Sequence, residues 1–232
     1  MRCIIIILKL GISYRNIQYY TDINWNTIYK FYLKIIKTNI LQQLYIKYKN
    51  TYILEMNKYN NLLYTDTTFI INKYGNELVN YNPQIKKYKT TKISIIIDNF
   101  KNQLSVGIYK STAHDSTIIN NQLDALLSES PMLFDNTKTL VGDSAYDSNA
   151  LEQKISNINL GSLIRCRNKR KSKHLCNNLS LKDKVILKQR IKVDHTMAIY
   201  KQYNRLCIRY DKSRICFLNY VYLASLILIK YI

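Results

Sequence analysis

Two aspartates of this chain occupy positions where a carboxylate is unusual. Asp66 lies in the middle of the apolar, β-branched run from Leu62 to Ile71, where a charged group is costly unless it is paired or bound to a metal. Asp143 follows the short apolar run from Thr139 to Gly142, at the strand end where an open α/β sheet places ligand-binding groups. Taken singly, each aspartate can also be a turn or helix-capping residue.

A third acid, Asp194, belongs to a basic segment with helical spacing. Residues Leu181 to Tyr210 are expected to form one long helix whose apolar stripe packs on the sheet. The neighbouring face suits phosphodiester chemistry, because an acid can help hold a divalent metal while cations contact DNA phosphates. The alternative is a solvated basic helix with an internal Arg190–Asp194 ion pair. Separations of 4, 7, 4 and 4 residues place on this face Arg190, Asp194, Lys201, Arg205 and Arg209.

The elements that must position these acids are strands alternating with helices. An antiparallel set of three strands, then a helix, then further strands and helices predict a mixed α/β or α+β domain. The expected strands are Leu62 to Ile71, Lys92 to Ile97, Leu104 to Tyr109, Thr139 to Gly142 and Ser162 to Arg165. The other expected elements are helices at Asp115 to Leu127, Ser148 to Ile155 and Ile215 to Ile229, and a polar, basic loop over residues 168 to 184.

The N-terminal segment, residues 12 to 50, has the spacing of short helices. Ser13 can cap a helix from Tyr14 to Tyr20, a polar break follows at Thr21 to Asn24, and a second helix spans Asn26 to Ile36. Together with the basic residues around them, these two helices fit a helix-turn-helix that binds DNA. A merely structural helical hairpin is the alternative.

Two apolar stretches raise the question of a membrane. Met1 to Leu8 is too short to span a bilayer and lacks a signal-peptide cleavage pattern. Ile215 to Ile229 is also shorter than the roughly 20 residues that a spanning helix requires. We therefore expect a buried C-terminal helix and no membrane partner.

Charge points to a polyanionic partner. The chain has 35 Lys and Arg residues against 15 Asp and Glu, a formal net charge of +20. A strongly basic protein gains affinity for nucleic acid because each cation placed on a phosphate releases a counterion. The alternative is incidental solvated surface. The 5 cysteines are irregularly spaced and form no CxxC pair, so neither a disulfide framework nor a zinc ribbon is indicated.

The motifs resemble those of the DDE transposases of the bacterial insertion-sequence four/five group. Thr65 to Thr68 resembles the strand with the first catalytic Asp, and Gly142 to Ser148 resembles the motif around the second. The third family motif runs Tyr, two residues, Arg, three residues, Glu, six residues, Lys, and Arg190, Asp194 and Lys201 fall in its register. Further similarities are His114-Asp115, Asn204-Arg205-Leu206, Arg209 to Lys212 and the N-terminal helical region from Gly11 to Lys37.

This resemblance implies an RNase H-like mixed sheet flanked by helices over residues 59–232, preceded by a small all-helical, helix-turn-helix-like domain for DNA-end binding over residues 1–58. It implies a transposase that cleaves and transfers DNA strands with two Mg²⁺ ions, for which Mn²⁺ can substitute, held by Asp66, Asp143 and Asp194. Double-stranded DNA is the implied partner, with a homodimer in the synaptic complex. The implied location is the cytoplasm and nucleoid of a bacterium, or the host cytoplasm or nucleus for a virus. The DNA-binding residues expected are Arg15, Lys30, Arg165, Arg167, Lys169, Arg170, Arg190, Lys201, Arg205 and Arg209.

The chain departs from the family pattern at two positions. Leu187 stands where the family has Tyr, and the third acid is Asp194 where the family has Glu. Because Asp is one methylene shorter, the helix must lie closer to the sheet for its carboxylate to reach a shared metal. A degenerate or domesticated copy that binds DNA without cutting is therefore a second hypothesis. A basic α/β domain with a membrane-associated tail is a third.

Overall fold

The strands expected from the β-branched runs form one mixed sheet. The computed structural model describes residues 1–81, 88–136, 138–164 and 179–229. Its strands are β1 (Leu62–Asn72), β2 (Asn80–Tyr81), β3 (Lys89–Asp98), β4 (Gln103–Lys110), β5 (Thr139–Gly142), β6 (Gly161–Ile164) and β7 (Ile208–Arg209).

The order of the sheet combines an antiparallel half and a parallel half. β3 pairs antiparallel with both β1 and β4, whereas β5 pairs parallel with β1, and β6 pairs parallel with β5. The central order is therefore β4-β3-β1-β5-β6, with β2 beside β3 and β7 beside β1 at the margins. This order and these directions are those of an RNase H-like sheet, so the expected mixed α/β class is confirmed.

Helices flank this sheet. They are α1 (Arg2–Leu10), α2 (Trp25–Lys37), α3 (Ile40–Met56), α4 (Asp115–Glu129), α5 (Asn149–Asn157), α6 (Leu181–Lys188), α7 (Ile191–Tyr200), α8 (Asn204–Cys207) and α9 (Arg214–Leu228). Short 3₁₀ turns at Arg15–Tyr19 and Ser144–Tyr146 connect some of these elements.

Side chains of the central strands alternate between two hydrophobic cores. Leu63 and Leu140 belong to the core that α4 covers, whereas Tyr64 and Val141 belong to the core that α7 and α9 cover. Such alternation is the two-residue period of strands that are covered on both faces. A residue two positions after Tyr64 or Val141 therefore points to the face that α7 covers.

The expectation of one long helix from Leu181 to Tyr210 is wrong. The segment forms α6, α7 and α8 with turns at Gln189–Arg190 and after Tyr200, and it ends in β7, which pairs with β1. No Pro or Gly marks these breaks. Contacts with the rest of the protein override the helical propensity of the segment, because Arg209 of β7 is completely buried and bonds to the loop after β1.

The C-terminal segment forms a buried helix, as expected. Phe217, Tyr220 and Ala224 of α9 have no exposed surface and pack in the core that contains Tyr64. Among the described helices, none combines the length and the apolar character needed to cross a bilayer.

The N-terminal helices share a core with the sheet. Ile4 and Ile7 of α1, a segment that the sequence did not predict to be helical, pack in the same core as α9, and the Tyr32 hydroxyl of α2 donates to the Cys216 carbonyl at 2.6 Å. The first helix expected in this region is a 3₁₀ turn, and the second is α2, capped by Asn24. The division into domains at residue 58 stays a prediction.

Candidate active site

The parallel pairing of β1 and β5 sets Asp66 beside Asp143. Tyr64 of β1 lies opposite Val141 of β5 in the register of the two strands. Two residues further along each strand direction come Asp66, still within β1, and Asp143, just past the end of β5, so the two carboxylates lie side by side on the face that α7 covers. The register thus brings together two acids that are far apart in sequence.

Backbone amides hold these two carboxylates in place. The Thr67 amide donates to Asp66 Oδ1 at 2.8 Å, and the Ala145 amide donates to Asp143 Oδ1 at 2.8 Å, which caps the 3₁₀ turn after β5. The ring of Tyr146 packs on the strand end, where a Cβ at position 142 would lie 3.0 Å from it. Gly142 therefore allows the close turn that directs Asp143 toward Asp66.

Helix α7 and the turn before it add the third acid and a cation. Asp194 lies close enough to Asp66 to raise the pKa of its carboxyl group. The Arg190 guanidinium lies 3.9 Å from Asp66 Oδ2 and 3.6 Å from Asp143 Oδ2, distances that are ion pairs and not hydrogen bonds. Among the described residues, Arg190 pairs with these two acids and not with Asp194, so the internal pair considered from the sequence does not form.

Burial leaves the charge of Asp66 poorly compensated. Desolvation, with a smaller contribution from the neighbouring Asp194, raises the pKa of Asp66 to about 6, against the lowering effects of the Thr67 amide and the Arg190 guanidinium. A partly buried carboxylate with a raised pKa is an arrangement found at functional sites, although structural ion pairs can also produce it. A divalent cation would compensate the negative charge of the Asp66 carboxylate better than the guanidinium does.

An open cleft with cationic walls leads to the acids. Asp143, Arg190 and Asp194 line it together with Lys188 and Ile191. Asp194 and Lys188 are exposed, so a ligand could reach them from solvent. A cleft with carboxylates in its floor and cations on its wall can bind a divalent metal and a phosphate together.

The donor set fits a hard divalent cation. Mg²⁺ and Mn²⁺ prefer carboxylate oxygens, which Asp66, Asp143 and Asp194 provide. Within the described ranges, no three His, Cys, Asp or Glu side chains are gathered closely enough to hold a metal ion as they stand. The Arg190 guanidinium bridges Asp66 and Asp143 instead, so these two acids would have to exchange this partner for a metal.

Two of the expected DNA-binding residues are buried, and neither guanidinium is available to DNA. Arg205 donates from Nε and Nη2 to both carboxylate oxygens of Asp211, at 3.1 and 2.8 Å. Arg209 has no exposed surface, and its guanidinium donates to the carbonyls of Glu77, Asp211 and Lys212. Because the predicted long helix is broken after Tyr200, neither arginine shares a helical face with Asp194.

The remaining expected DNA contacts divide by position. Lys201 is exposed at the C-terminal end of α7, two turns or about 10 Å beyond Asp194. Arg15 and Lys30 are exposed in the N-terminal region, and the Arg15 guanidinium lies 5.7 Å from the centre of the Trp25 ring. Outside the described residues lie Arg165, Arg167, Lys169 and Arg170.

A polar cluster on the opposite face of β1 from Asp66 was not predicted from the sequence. Lys92 Nζ and Thr67 Oγ1 both donate to Asp115 Oδ1, at 2.8 and 3.0 Å, on the opposite face of β1 from Asp66. This cluster ties the first turn of α4 to the two central strands next to the acid. A lysine at the start of the apolar run of β3 was the signal that could have revealed it.

One family model matches most of the sequence. It is described as DDE superfamily endonuclease, and it matches residues 67–230, a span that begins directly after Asp66 and includes Asp143 and Asp194. No curated protein matches the sequence of the chain.

Several solved structures resemble this chain at low sequence identity. One is a Mos1 transposase paired-end complex with left transposon end, at 7% identity and TM-score 0.34, covering 97% of this chain and 75% of that chain. A second is a piggyBac transposase synaptic complex with hairpin DNA, at 13% identity and TM-score 0.36, covering 47% of this chain and 24% of that chain. A third is a simian T-cell lymphotropic virus intasome in complex with PP2A regulatory subunit B56 gamma, at 13% identity and TM-score 0.44, covering 75% and 50%. The matches span about a quarter of the piggyBac chain and half of the intasome chain.

Proposed function

This chain belongs to the family of DDE superfamily endonucleases, and we propose that it is a transposase. It binds the ends of a mobile DNA element and catalyses metal-dependent strand cleavage and strand transfer. The observation that carries the proposal is that Asp143, at the end of β5, and Asp194 of α7 line one open cleft, while Asp66 of β1 shares the Arg190 guanidinium with Asp143.

The three acids would hold two Mg²⁺ ions, and Mn²⁺ could take their place. Bound metal supplies an activated nucleophile and stabilises the leaving oxygen. The protein contributes preorganised carboxylates, since backbone amides already fix Asp66 and Asp143. Asp194 projects from a helix that packs on β1 and completes the set.

Arg190 has a second role in this proposal. Its guanidinium neutralises part of the charge of Asp66 and Asp143 as long as these acids hold no metal. Once displaced from the acids, the guanidinium would contact the phosphate beside the scissile bond. Lys201 would contact a phosphate further along the same strand, because it lies on the same side of α7 about two turns away.

DNA beyond the cleft would meet other basic residues of the chain. Arg15 and Lys30 in residues 1–58 are proposed to contact the element's ends. Flanking DNA is assigned to Arg165, Arg167, Lys169 and Arg170, which lie outside the described residues. Synapsis of two ends calls for two copies of the protein, so we propose a homodimer that acts where the DNA is, in a nucleoid or a nucleus.

The test is cleavage of a duplex that carries the element's ends, with Mg²⁺ or Mn²⁺ present. Asp66→Ala and Asp143→Ala should abolish cutting while leaving DNA binding largely intact. Asp124→Ala is the matched control, because Asp124 is an exposed acid of α4 on the opposite side of the sheet. If both site variants cut as well as the parent and the control, the active site lies elsewhere.

A second candidate function is DNA binding without cleavage, in a degenerate or domesticated copy. Two observations favour it: the third acid is the shorter Asp194, and Arg190 occupies the space between Asp66 and Asp143. Tight binding of the element's ends, with no nicking in Mg²⁺ or Mn²⁺, would support this candidate over the first.

A further inference from the structure

The corner between α6 and α7 lies directly over β1. α6 ends at Lys188 and α7 begins at Ile191, so Gln189 and Arg190 form the turn. The turn contains neither Pro nor Gly, and its residue types do not require the helix to break there. What fixes the corner must therefore be a contact from another element.

That contact is a buried phenol of β1. Tyr64 has no exposed surface, and its hydroxyl donates to Gln189 Oε1 at 2.9 Å, with Asn99 Oδ1 a longer alternative at 3.3 Å. Burial raises the pKa of Tyr64 to about 12, so the phenol keeps its proton and remains a donor at neutral pH.

A lysine of α7 completes the cluster. Lys192 Nζ donates to the same Gln189 Oε1 at 3.3 Å and lies 5.5 Å from the centre of the Tyr64 ring. The carboxamide oxygen thus accepts from two donors, and the ammonium group lies over an aromatic face. Tyr64, Gln189 and Lys192 together attach the first turn of α7 to β1.

The position of this cluster relates it to the acids. Tyr64 and Asp66 lie two residues apart on one face of β1. Gln189 directly precedes Arg190 and lies five residues before Asp194. The Tyr64–Gln189 hydrogen bond therefore joins the strand that carries Asp66 to the turn before the helix that carries Asp194.

We propose that Tyr64 and Gln189 are positioning residues that hold α7 close enough to β1 for the short side chain of Asp194 to share a divalent cation with Asp66. This inference rests on the proposed function. It accounts for how an aspartate can serve where the resembled motif has the longer glutamate. The phenol touches neither substrate nor metal and acts only through the helix corner.

The test measures Mn²⁺ affinity by isothermal titration calorimetry, with urea unfolding to confirm that each variant is folded. Tyr64→Phe and Gln189→Leu should each weaken Mn²⁺ binding about tenfold, as loss of an outer partner typically does. Tyr45→Phe is the matched control, because it also loses one hydrogen bond of a buried phenol, to the Gln103 carbonyl, far from the acids. The control should bind Mn²⁺ like the parent.

A rescue separates positioning from a general structural effect. A longer third acid should compensate for a helix that has moved away, so Asp194→Glu should restore Mn²⁺ affinity in the Tyr64→Phe protein but not improve the parent. Equal Mn²⁺ affinities for Tyr64→Phe, Tyr45→Phe and the parent would overturn the proposal, as would the absence of rescue.

Failure of the underlying site would look different. If Asp66→Asn and Asp194→Asn bind Mn²⁺ as tightly as the parent, the metal is not held by these acids, and the proposed function falls together with the positioning role. If only the two acid variants lose affinity, the site stands, and the assignment of Tyr64 and Gln189 is wrong.

Discussion

Two arginine–aspartate clusters of this protein differ in burial and in distance. Arg205 and Asp211 are 6% and 7% exposed and form two hydrogen bonds, the shorter 2.8 Å. Arg190 is 26% exposed and lies 3.6 to 3.9 Å from its two acids. The first cluster is a complete, desolvated pair that a partner cannot enter, whereas the second is loose, open to the cleft and able to exchange its partners.

The comparison distinguishes a structural arginine, Arg205, from a candidate functional arginine, Arg190, within one stretch of sequence. Both arginines follow the same helical spacing, so the pattern alone assigned them both to DNA. Burial and distance distinguish them, since an ion pair that is buried on both sides is expensive to break and a half-exposed one is not.

The largest effect should come from breaking the buried pair. Asp211→Asn leaves the Arg205 guanidinium buried without a counter-charge, so we expect the free energy of unfolding to fall by about 3–5 kcal/mol. Arg190→Gln should change it by less than about 1 kcal/mol. Urea unfolding followed by circular dichroism measures both, and losses of equal size would contradict the distinction.

Asp66→Asn should stabilise the metal-free protein at neutral pH. The folded-state pKa of Asp66 is raised to about 6, so the folded protein holds this proton more tightly than the unfolded chain does. Its contribution to stability is present below about pH 4 and is lost as the pH rises through about 6. The Asn variant should therefore be more stable than the parent by about 3 kcal/mol at pH 7 and should lack that pH dependence.

Unfolding of the Asp66→Asn variant and the parent at pH 4, 6 and 7.5, with a chelator present, checks this expectation. A gap that widens with pH supports it. A variant that is less stable than the parent at every pH would mean that Asp66 is already well compensated without metal.

Arg190→Gln should change metal binding and DNA binding in opposite directions. Removing the guanidinium from between Asp66 and Asp143 should raise Mn²⁺ affinity about fivefold in the absence of DNA, an effect of about 1 kcal/mol. The same change should weaken binding of the element's ends, because a phosphate contact is lost. Calorimetry and fluorescence anisotropy measure the two quantities, and a fall in both would contradict the exchange of partners.

The smallest effect should be that of Lys201. Lys201→Ala should weaken DNA binding modestly and reduce the slope of log affinity against log salt by about one. Lys154→Ala is the control, since Lys154 pairs with Asp124 on the opposite side of the sheet. If salt titrations give the same slope for both variants, Lys201 does not contact DNA.

The strands and the placement of two acids were predictable from the sequence because their signals are local. β1, β4 and β5 follow apolar and β-branched runs, and an aspartate inside or directly after such a run stands out. The sheet register that sets Asp66 beside Asp143 follows once the two strands are assigned as parallel neighbours.

The breaks in the segment from Leu181 to Tyr210 were not predictable, because they depend on distant contacts. The helical period continues past Gln189 and Tyr200, and the local pattern contains neither the hydrogen bond from Tyr64 at the first turn nor the burial of Arg209 after the second. The apolar run at the N-terminus was not predicted to be a helix either, although Ile4 and Ile7 fit a helical face once α9 is present to cover them. Single-sequence patterns carry no information on such partners.

The measurement that most directly tests the central claim is nicking of supercoiled DNA that carries the element's ends, in Mg²⁺ and in Mn²⁺. It should compare the parent with Asp194→Ala and Asp194→Glu. We expect the parent to nick the DNA and Asp194→Ala to lose about a hundredfold or more in rate, as loss of several kcal/mol of transition-state stabilisation implies. Equal nicking by the parent and Asp194→Ala, or nicking by Asp194→Glu alone, would contradict the claim that these three aspartates form a working site.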